Sequence, residues 1–261
     1  MTGAVSKFGA FVLAQLTQLG AMLILLGDIL KTTFTRRPRW RETIEQTYRI
    51  GWKSQLVVLV TGAFTGMVFA EQTYHQFHKV KMDTAIGPVV SIAMLRELAP
   101  VLTALMVAGR VGAAIAAELG TMKVTEQLDA LRSMGTAPVD YLAVPRFVAL
   151  LVALPLLTAE AMLFGIASGY IVAVDLRGVD QAYFLENMYK FTAAKDVTGG
   201  LVKSVFFAIF IALVSCYKGF NAGEGAEGVG RATTQAVVVS SLTVLVANFF
   251  IAMLFNAIIA P

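Results

Sequence analysis

The sequence predicts an all-helical integral membrane protein, and three observations lead to that class. Hydrophobic residues make up 57% of the 261 residues and charged residues only 15%, whereas soluble domains have about 25% charged residues. So few charged side chains could not cover this much apolar surface in water. The apolar residues also form long stretches without the alternation of a lipid-facing barrel. These stretches must therefore be helices, because unpaired backbone groups cannot face lipid.

Five stretches are long and apolar enough to cross a membrane, which takes about 20 residues. They lie at 54–74, 88–117, 147–174, 199–217 and 234–259. A sixth stretch, 8–30, is interrupted by Gln15, Gln18 and Asp28. The residues alone leave two positions open for it: it spans the membrane, or it lies in the interface with its apolar side down. Cleavage as a signal peptide is disfavoured, because the strong basic cluster follows the apolar run instead of preceding it.

The distribution of lysine and arginine predicts the orientation, since cytoplasmic connections carry an excess of both. The connections 31–53, 118–146 and 218–233 hold twelve of these residues, and the connections 75–87 and 175–198 hold five. We therefore expect the first three connections to be cytoplasmic and the C-terminus at Pro261 to lie outside.

Positive charge is concentrated near the N-terminus. Residues 1–53 contain eight basic and three acidic side chains, although the whole chain has a net charge of only +4. The seven basic residues that follow the first apolar stretch are Lys31, Arg36, Arg37, Arg39, Arg41, Arg49 and Lys53. Beside a membrane segment this cluster favours an orientation signal and contact with anionic lipid, not nucleic-acid binding. The chain divides into an N-terminal helix with a basic cytoplasmic segment, 1–53, and a transmembrane domain, 54–261.

Several function classes lack their signatures. The composition excludes disorder, and the single cysteine, Cys216, excludes a disulfide scaffold. No phosphate-binding G-x-x-x-x-G-K-[ST] motif is present. Residues 223–230 match G-x-G-x-x-G, but no strand precedes them and two glutamates would repel a pyrophosphate, so we expect a flexible or closely packed cytoplasmic loop. His75 and His78 are too few for a zinc site, and we expect them in an exposed loop.

Charged residues inside the predicted spans are the first functional candidates, because they are costly in a membrane. Arg96 and Glu97 lie in the second stretch and Lys203 in the fourth. Adjacent helical residues point about 100° apart, so Arg96 and Glu97 each need another partner. Their depths allow a contact between Glu97 and Lys203 across a polar cavity. The alternative is that each charge reaches the membrane surface or pairs elsewhere for structure alone.

Other features of these spans bear on packing and shape. Glu160 also lies within a span, and Arg110 lies near the cytoplasmic end of its span. Pro100 follows the charged pair and can kink its helix. Small residues recur every four positions in four series: Gly62 and Gly66; Ala161, Gly165 and Gly169; Gly109, Ala113 and Ala117; Gly112, Ala116 and Gly120. Such series allow helices to approach closely, either within one chain or between subunits.

The cytoplasmic connection 118–146 predicts a short amphipathic helix. Thr125 can cap its start, and Gly135 and Pro138 can end it. An apolar face results from the spacing of Leu128, Leu131 and Met134. Such a helix suits docking into the groove of a partner, or else it lies on the membrane surface.

Motifs along residues 40–255 resemble the permease subunits of the MlaE/YrbE-type ABC lipid transporters, which have relatives in chloroplasts. The shared segments are Leu95-Arg96-Glu97-Leu98-Ala99-Pro100, Ala108-Gly109-Arg110-Val111-Gly112, Glu118-Leu119-Gly120-Thr121-Met122, Thr125-Glu126-Gln127-Leu128, Pro145-Arg146 and Gly230-Arg231-Ala232-Thr233-Thr234. The resemblance implies five transmembrane helices preceded by an N-terminal interfacial helix, so that 8–30 lies in the interface. Asn248 departs from the pattern, because relatives can carry an acidic residue at that position.

The resemblance further implies an inner-membrane homodimer that works with two cytoplasmic ATPase subunits and a periplasmic MCE-domain lipid-binding protein. Some systems add a STAS-domain subunit. The assembly moves phospholipid between the inner and outer membranes and maintains outer-membrane lipid asymmetry. The chain itself is then not an enzyme and binds no cofactor, since ATP and magnesium belong to the ATPase. In this scheme Arg96, Glu97 and Lys203 line or gate the lipid cavity. The connection that couples to the ATPase contributes Glu118, Met122, Glu126, Leu128, Asp129 and Leu131.

Two other classes remain as alternatives. A secondary transporter or channel driven by an ion gradient would work without an ATPase, but deep carboxylates are few and no internal repeat is evident. A membrane-embedded lipid-modifying enzyme would need a convergent catalytic set, and the sequence offers none.

Overall fold

A computed structural model describes residues 2–35 and 39–259, and every regular element in these ranges is helical. We number the helices α1 Thr2–Thr35, α2 Trp40–Lys79, α3 Asp83–Val124, α4 Gln127–Ser133, α5 Val139–Leu176, α6 Gln181–Phe191, α7 Ala194–Phe220 and α8 Gly225–Ile259. Two of the basic residues discussed above, Arg36 and Arg37, and the C-terminal Pro261 lie outside the described residues.

The five predicted spans are confirmed as helices, and α1 is a sixth candidate. Within the described residues, six helices are long and apolar enough to cross a membrane, and Leu16–Thr35 of α1 is one of them. The chain is thus a multi-pass membrane protein. Length and composition do not distinguish a spanning α1 from an interfacial one, so its interfacial position stays a prediction.

Each spanning helix is longer than its apolar stretch. The 40 residues of α2 correspond to roughly 60 Å at 1.5 Å per residue, about twice the hydrocarbon thickness. The expected loop at 223–230 is wrong from Gly225 onward, because α8 already begins there. Gly223 and Gly228 do pack backbone to backbone there. The connection 175–198 likewise contains α6. Hydropathy marks only the apolar part of a helix, and polar residues continue these helices beyond the membrane.

The two histidines also lie on a helix, which corrects the expected loop. His75 and His78 belong to the last turns of α2, where their ring nitrogens lie 3.0 Å from Glu71 and 3.1 Å from Asp83. Arg177, just beyond α5, joins the same group, because its Nε donates to the Glu71 carboxylate at 2.7 Å. This hydrogen bond raises the pKa of the Arg177 guanidinium.

Two of the small-residue series pack against each other inside this chain. A Cβ at Gly66 would overlap the backbone of Gly165, and one at Gly62 would lie 3.0 Å from the Ala161 backbone. The hydroxyl of Ser168 donates to the Ala63 carbonyl at 2.7 Å across the same contact. Helices α2 and α5 therefore cross at backbone distance, as small residues four apart allow.

The two series on α3 face in different directions. At Gly112 a Cβ would lie 2.9 Å from the Ser215 hydroxyl on α7, and at Gly120 it would meet Ala222 at 3.1 Å. That series is packed within the chain. Gly109 is exposed and would meet nothing within 4 Å. Only the Gly109 series keeps open the alternative of a subunit interface.

Candidate functional site

The charged residues of the second predicted span lie where α3 leaves regular α-helical geometry. Met94–Leu98 forms a π-helical turn, and Pro100 follows it. Proline has no N–H, so the Arg96 carbonyl loses its usual partner four residues further along. The Lys203 ammonium of α7 donates to that carbonyl, with 2.9 Å between Nζ and the oxygen. The proline thus frees an acceptor that the lysine uses.

Glu97 is held by two side chains from other helices. Lys203 Nζ donates to its Oε1 at 2.6 Å, and Asn248 Nδ2 of α8 donates to its Oε2 at 3.0 Å. This confirms the predicted contact between Glu97 and Lys203. The two partners differ in burial, because the Lys203 side chain is 4% exposed and that of Glu97 is 44% exposed. Asn248 thus supplies a neutral hydrogen bond to this carboxylate.

Arg96 turns the other way and pairs with Asp196, which sequence reasoning missed. The Arg96 guanidinium donates to Asp196 Oδ1 from Nε at 2.7 Å and from Nη2 at 2.6 Å. Asp196 Oδ2 also accepts from the backbone N–H of Ala193 at 2.8 Å, at the start of α7. The predicted span began at residue 199, which left Asp196 in a loop. An acidic residue in the first turn of a helix is the signal that could have found it.

Close helix packing brings these partners together. A Cβ at Gly200 would overlap the Leu95 carbonyl and the Met162 side chain, and it would lie 3.2 Å from Pro100. Asp196, Gly200 and Lys203 share one face of α7, since they are spaced four and three residues apart. Glycine at the middle position lets that face approach the π-helical turn of α3. The outcome is two ion pairs between α3 and α7, Arg96 with Asp196 and Glu97 with Lys203, which we call the charge cluster.

The charge cluster borders a small cleft with a cavity volume of about 30 Å³. Its other walls are formed by Lys195, Gly199, Ala252, Phe255 and Asn256. Charged groups and an aromatic ring thus share one surface, but the cleft would have to widen before it could hold a lipid head group. Two further charges of the predicted spans lie elsewhere: Arg110 Nη1 donates to the Ser54 hydroxyl at 2.7 Å, and Glu160 lies on α5 with its Oε1 buried and without a hydrogen-bond partner among the described residues.

The predicted coupling helix exists as α4, a short helix in the connection 118–146. Its start differs from the expectation. The Thr125 hydroxyl donates backward to the Thr121 carbonyl at 2.9 Å, so it does not cap α4. Glu126 occupies the cap position in a left-handed conformation, with φ of 58°. This conformation is costly for a residue with a side chain, and it turns the chain sharply between α3 and α4.

The end of α4 follows the expectation. Gly135 has φ of +74°, and its N–H donates to the Arg132 carbonyl at 2.9 Å. The Thr136 N–H donates to the Leu131 carbonyl at 2.9 Å. These two bonds form the Schellman motif, in which glycine supplies the left-handed residue after the helix.

The apolar face of α4 packs mainly against its own chain. Leu128 is buried and Leu131 packs against the core, whereas Met134 is 70% exposed. Met122 of α3 also packs against the core. The surface left for a partner is therefore more polar than predicted. It contains Glu126 and Asp129, both exposed.

Two contacts tie this connection to other helices. Glu118 accepts from Arg146 Nη2 of α5 at 2.8 Å, and Arg146 also donates to the Leu142 carbonyl at 2.9 Å. Lys123 Nζ donates at 2.8 Å to the Ala222 carbonyl, in the turn between α7 and α8. The C-terminal end of α3 is thus tied to α5 by one contact and to the α7–α8 turn by the other.

Comparison with known proteins identifies the family. The family model described as Permease MlaE matches residues 43–254. The chain belongs to the MlaE permease family. This match includes the charge cluster and the α4 connection. A probable ABC transporter permease protein of Synechocystis sp. is 43% identical over 237 residues, covering 91% of this chain and 90% of that protein.

The names of two further relatives state a transport function or a location in the cell. The intermembrane phospholipid transport system permease protein MlaE of Haemophilus influenzae is 38% identical over 216 residues, 82% of this chain and 83% of that protein. The chloroplastic protein TRIGALACTOSYLDIACYLGLYCEROL 1 of Arabidopsis thaliana is 38% identical over 232 residues, 89% of this chain and 66% of that protein. The predicted resemblance is confirmed, and the chain is an ABC permease of the MlaE family.

Proposed function

We propose that this MlaE permease is the membrane subunit of an ATP-driven transporter that moves phospholipid between the inner and outer membranes and so maintains outer-membrane lipid asymmetry. In this proposal two copies form a homodimer in the inner membrane. Two ATPase subunits bind at the cytoplasmic side and hold ATP with magnesium, and this chain binds no cofactor. A periplasmic MCE-domain protein, and in some systems a STAS-domain subunit, complete the assembly.

One structural observation supports the proposal most strongly: a single helix carries both candidate regions. Glu97 and Met122 lie on α3, roughly 37 Å apart along its axis at 1.5 Å per residue. Lys203 contacts one region, and Arg146 contacts the other. A helix anchored in this way is a direct mechanical connection between a docking segment and a charged cleft.

The mechanism follows from these contacts. Closure of the ATPases on ATP would move α4, and the Glu126 turn and the contact between Glu118 and Arg146 would pass the movement to α3 and α5. At the other end, displacement of α3 against α7 would separate or close the charge cluster. Arg96 and Lys203 can attract a lipid phosphate when their carboxylate partners move away. The exposed apolar side chains of α8, such as Phe249 and Phe250, suit contact with acyl chains.

The orientation belongs to the same proposal. The connection 118–146 lies in the cytoplasm and the C-terminus in the periplasm, as the distribution of lysine and arginine predicts. Single cysteines placed at Asp129 and Glu186 in a Cys216→Ser background test this. Only the second should react with a membrane-impermeant maleimide on intact spheroplasts, because Asp129 lies in α4 and Glu186 in α6, and both are exposed.

Purification of the tagged, detergent-solubilised chain tests the function. We expect mass spectrometry to identify an ATPase and an MCE-domain protein with it, and lipid extraction to release phospholipid. In vesicles, the assembly should transfer phospholipid only with hydrolysable ATP. An intact, folded chain that never binds an ATPase and moves lipid or ions on a gradient would refute the proposal and support the ion-driven alternative.

A further inference from the structure

A second charged cleft lies away from the charge cluster, between α2 and α3 near their predicted cytoplasmic ends. Its basic residues are Arg49, Lys53 and Arg110. Gln46 and Glu118 complete its polar wall, and Ile50, Val111, Ala114 and Ile115 form an apolar wall. The cleft has a volume of about 290 Å³, against about 30 Å³ for the cleft at the charge cluster. We call it the basic cleft.

The positive charge of the basic cleft is not neutralised within the chain. Lys53 has no ion pair among the residues that the structure describes, and Arg110 contacts only the Ser54 hydroxyl there, at 2.7 Å. The carboxylate of Glu118 already forms an ion pair with Arg146, with 2.8 Å between Oε2 and Nη2. Arg49 pairs with Glu45 at 2.6 Å, but both side chains are more than half exposed, and such pairs are weak and exchange readily.

The depth of the cleft matches the head-group region of a bilayer. Arg110 contacts Ser54, which is the first residue of the apolar stretch of α2. Within the two turns before it, Tyr48 and Trp52 stack with ring centroids 6.3 Å apart, and they are 61% and 65% exposed. Tyrosine and tryptophan at such positions mark the boundary between hydrocarbon and water. The cations of the cleft therefore lie at phosphate level, with the apolar wall beside them.

We propose that the basic cleft binds the phosphate of an anionic phospholipid that stays with the permease and is not its transported cargo. Lysine and arginine attract anionic head groups at this depth. Lys53 and Arg110 would contact the phosphate, since neither has a carboxylate partner among the described residues. Ile115 and Val111 would contact the first part of an acyl chain. A free phosphate shares the charge but cannot use the apolar wall.

Fluorescence quenching by brominated lipid tests this site in the full chain. The protein has two tryptophans, so Trp40→Phe leaves Trp52, beside the cleft, as the single reporter. The chain is reconstituted in phosphatidylcholine vesicles that contain either brominated phosphatidylglycerol or brominated phosphatidylcholine. The ratio of the two quenching efficiencies measures the preference for the anionic lipid. We expect a ratio well above one for the Trp40→Phe protein.

The variants distinguish the cleft from general surface charge. Lys53→Gln with Arg110→Gln should bring the ratio close to one. The matched control, Lys31→Gln with Arg41→Gln, removes two exposed charges from the same predicted side but outside the cleft, and it should leave the ratio unchanged. If the double variant does not fold, the single variant Lys53→Gln replaces it in the experiment, because this change removes no ion pair among the described residues. Its expected effect is a decrease of at most about fivefold, the factor that corresponds to one charge near a membrane surface.

Three results would overturn the proposal. The first is a ratio close to one before any cleft substitution. The second is an equal decrease of the ratio in both double variants, which would indicate diffuse attraction of the lipid by surface charge. Millimolar inorganic phosphate, added at constant ionic strength, could abolish the lipid preference, which would assign the site to a soluble phosphate. The test needs only a chain in a bilayer, so its result is independent of the proposed transport function.

Discussion

The charge cluster and the short helix α4 lie toward opposite ends of α3, and they differ in the burial of their ion pairs. In the cluster, Lys203 and Asp196 are each only 3% exposed. At the other end, the ion pair between Asp129 and Arg132 is 69% and 65% exposed. Breaking a buried pair leaves an uncompensated charge and is costly, whereas an exposed pair contributes little. The charge cluster thus has a fixed geometry, whereas the ion pair on α4 can rearrange at small cost.

The largest effect should come from Glu97→Gln, because it leaves a buried lysine without its counter-charge. Removing one partner of a buried pair costs about 3 kcal/mol at the lower end of the usual range, which applies here because water reaches Glu97. Lys203→Met should cost much less, since it leaves a carboxylate that is 44% exposed and can be hydrated. Chemical unfolding of the detergent-solubilised chain measures both free energies.

Transport and a double variant complete this test. Both single variants should lose phospholipid transport while their assembly with the partner subunits remains. The double variant Glu97→Gln, Lys203→Met should regain most of the stability lost by Glu97→Gln alone, because the buried charge has gone. Equal losses of stability in the two single variants, or normal outer-membrane lipid asymmetry in both, would contradict a buried functional pair.

An intermediate effect is expected for Glu118→Ala at the other end of α3. Arg146 is 8% exposed and would keep only the Leu142 carbonyl, so the free energy of unfolding should fall by about 2 kcal/mol. Lipid transfer should fall more than ATP hydrolysis, because the contact between α3 and α5 is lost. Glu227→Ala is the matched control at an exposed pair with Arg231. If transfer and hydrolysis fall in parallel, this contact does not transmit the movement.

A smaller effect is expected at Gly135, which ends α4. Gly135→Ala forces a side chain into a left-handed conformation and should cost about 1 kcal/mol. Gly178 has a similar positive φ of +71° and equally open surroundings beyond α5, so Gly178→Ala should cost the same in thermal unfolding. Only the change at Gly135 should reduce the stimulation of ATP hydrolysis by lipid. An equal reduction from Gly178→Ala would mean that α4 has no special part in coupling.

The sequence was sufficient to predict the features that depend on the length of an apolar stretch and on the depth of a charged residue in the membrane. The five spans and the contact between Glu97 and Lys203 follow from where apolar runs begin and how far a lysine reaches. Asp196 was missed because α7 begins at Ala194, five residues before its apolar stretch. Hydropathy cannot locate helix ends that lie in water, and the helical extensions of α2 and α8 were missed for the same reason.

The surface that packs against a given helix face was harder to predict than the position of the helix in the chain. Amphipathic spacing indicated an apolar face on α4, and the face exists, but Leu128 is used to fix α4 to its own chain. Spacing does not say whether a neighbouring helix or another protein covers a face. The small-residue series show the same limit, since Gly66 and Gly109 carry the same signal and only Gly66 is packed within the chain.

The smallest effect on stability should come from Asp129→Asn, and it tests whether exposure at the α4 end has a function. The pair between Asp129 and Arg132 is exposed and three residues apart on one helix, so its loss should change the free energy of unfolding by less than about 0.5 kcal/mol. If the polar surface of α4 docks on the ATPase, recovery of the ATPase with the tagged chain should nevertheless fall. Glu186→Gln, an exposed carboxylate on α6, is the control and should recover the ATPase normally. Full recovery with Asp129→Asn would place the docking surface elsewhere, with the exposed Met134 the next side chain to test.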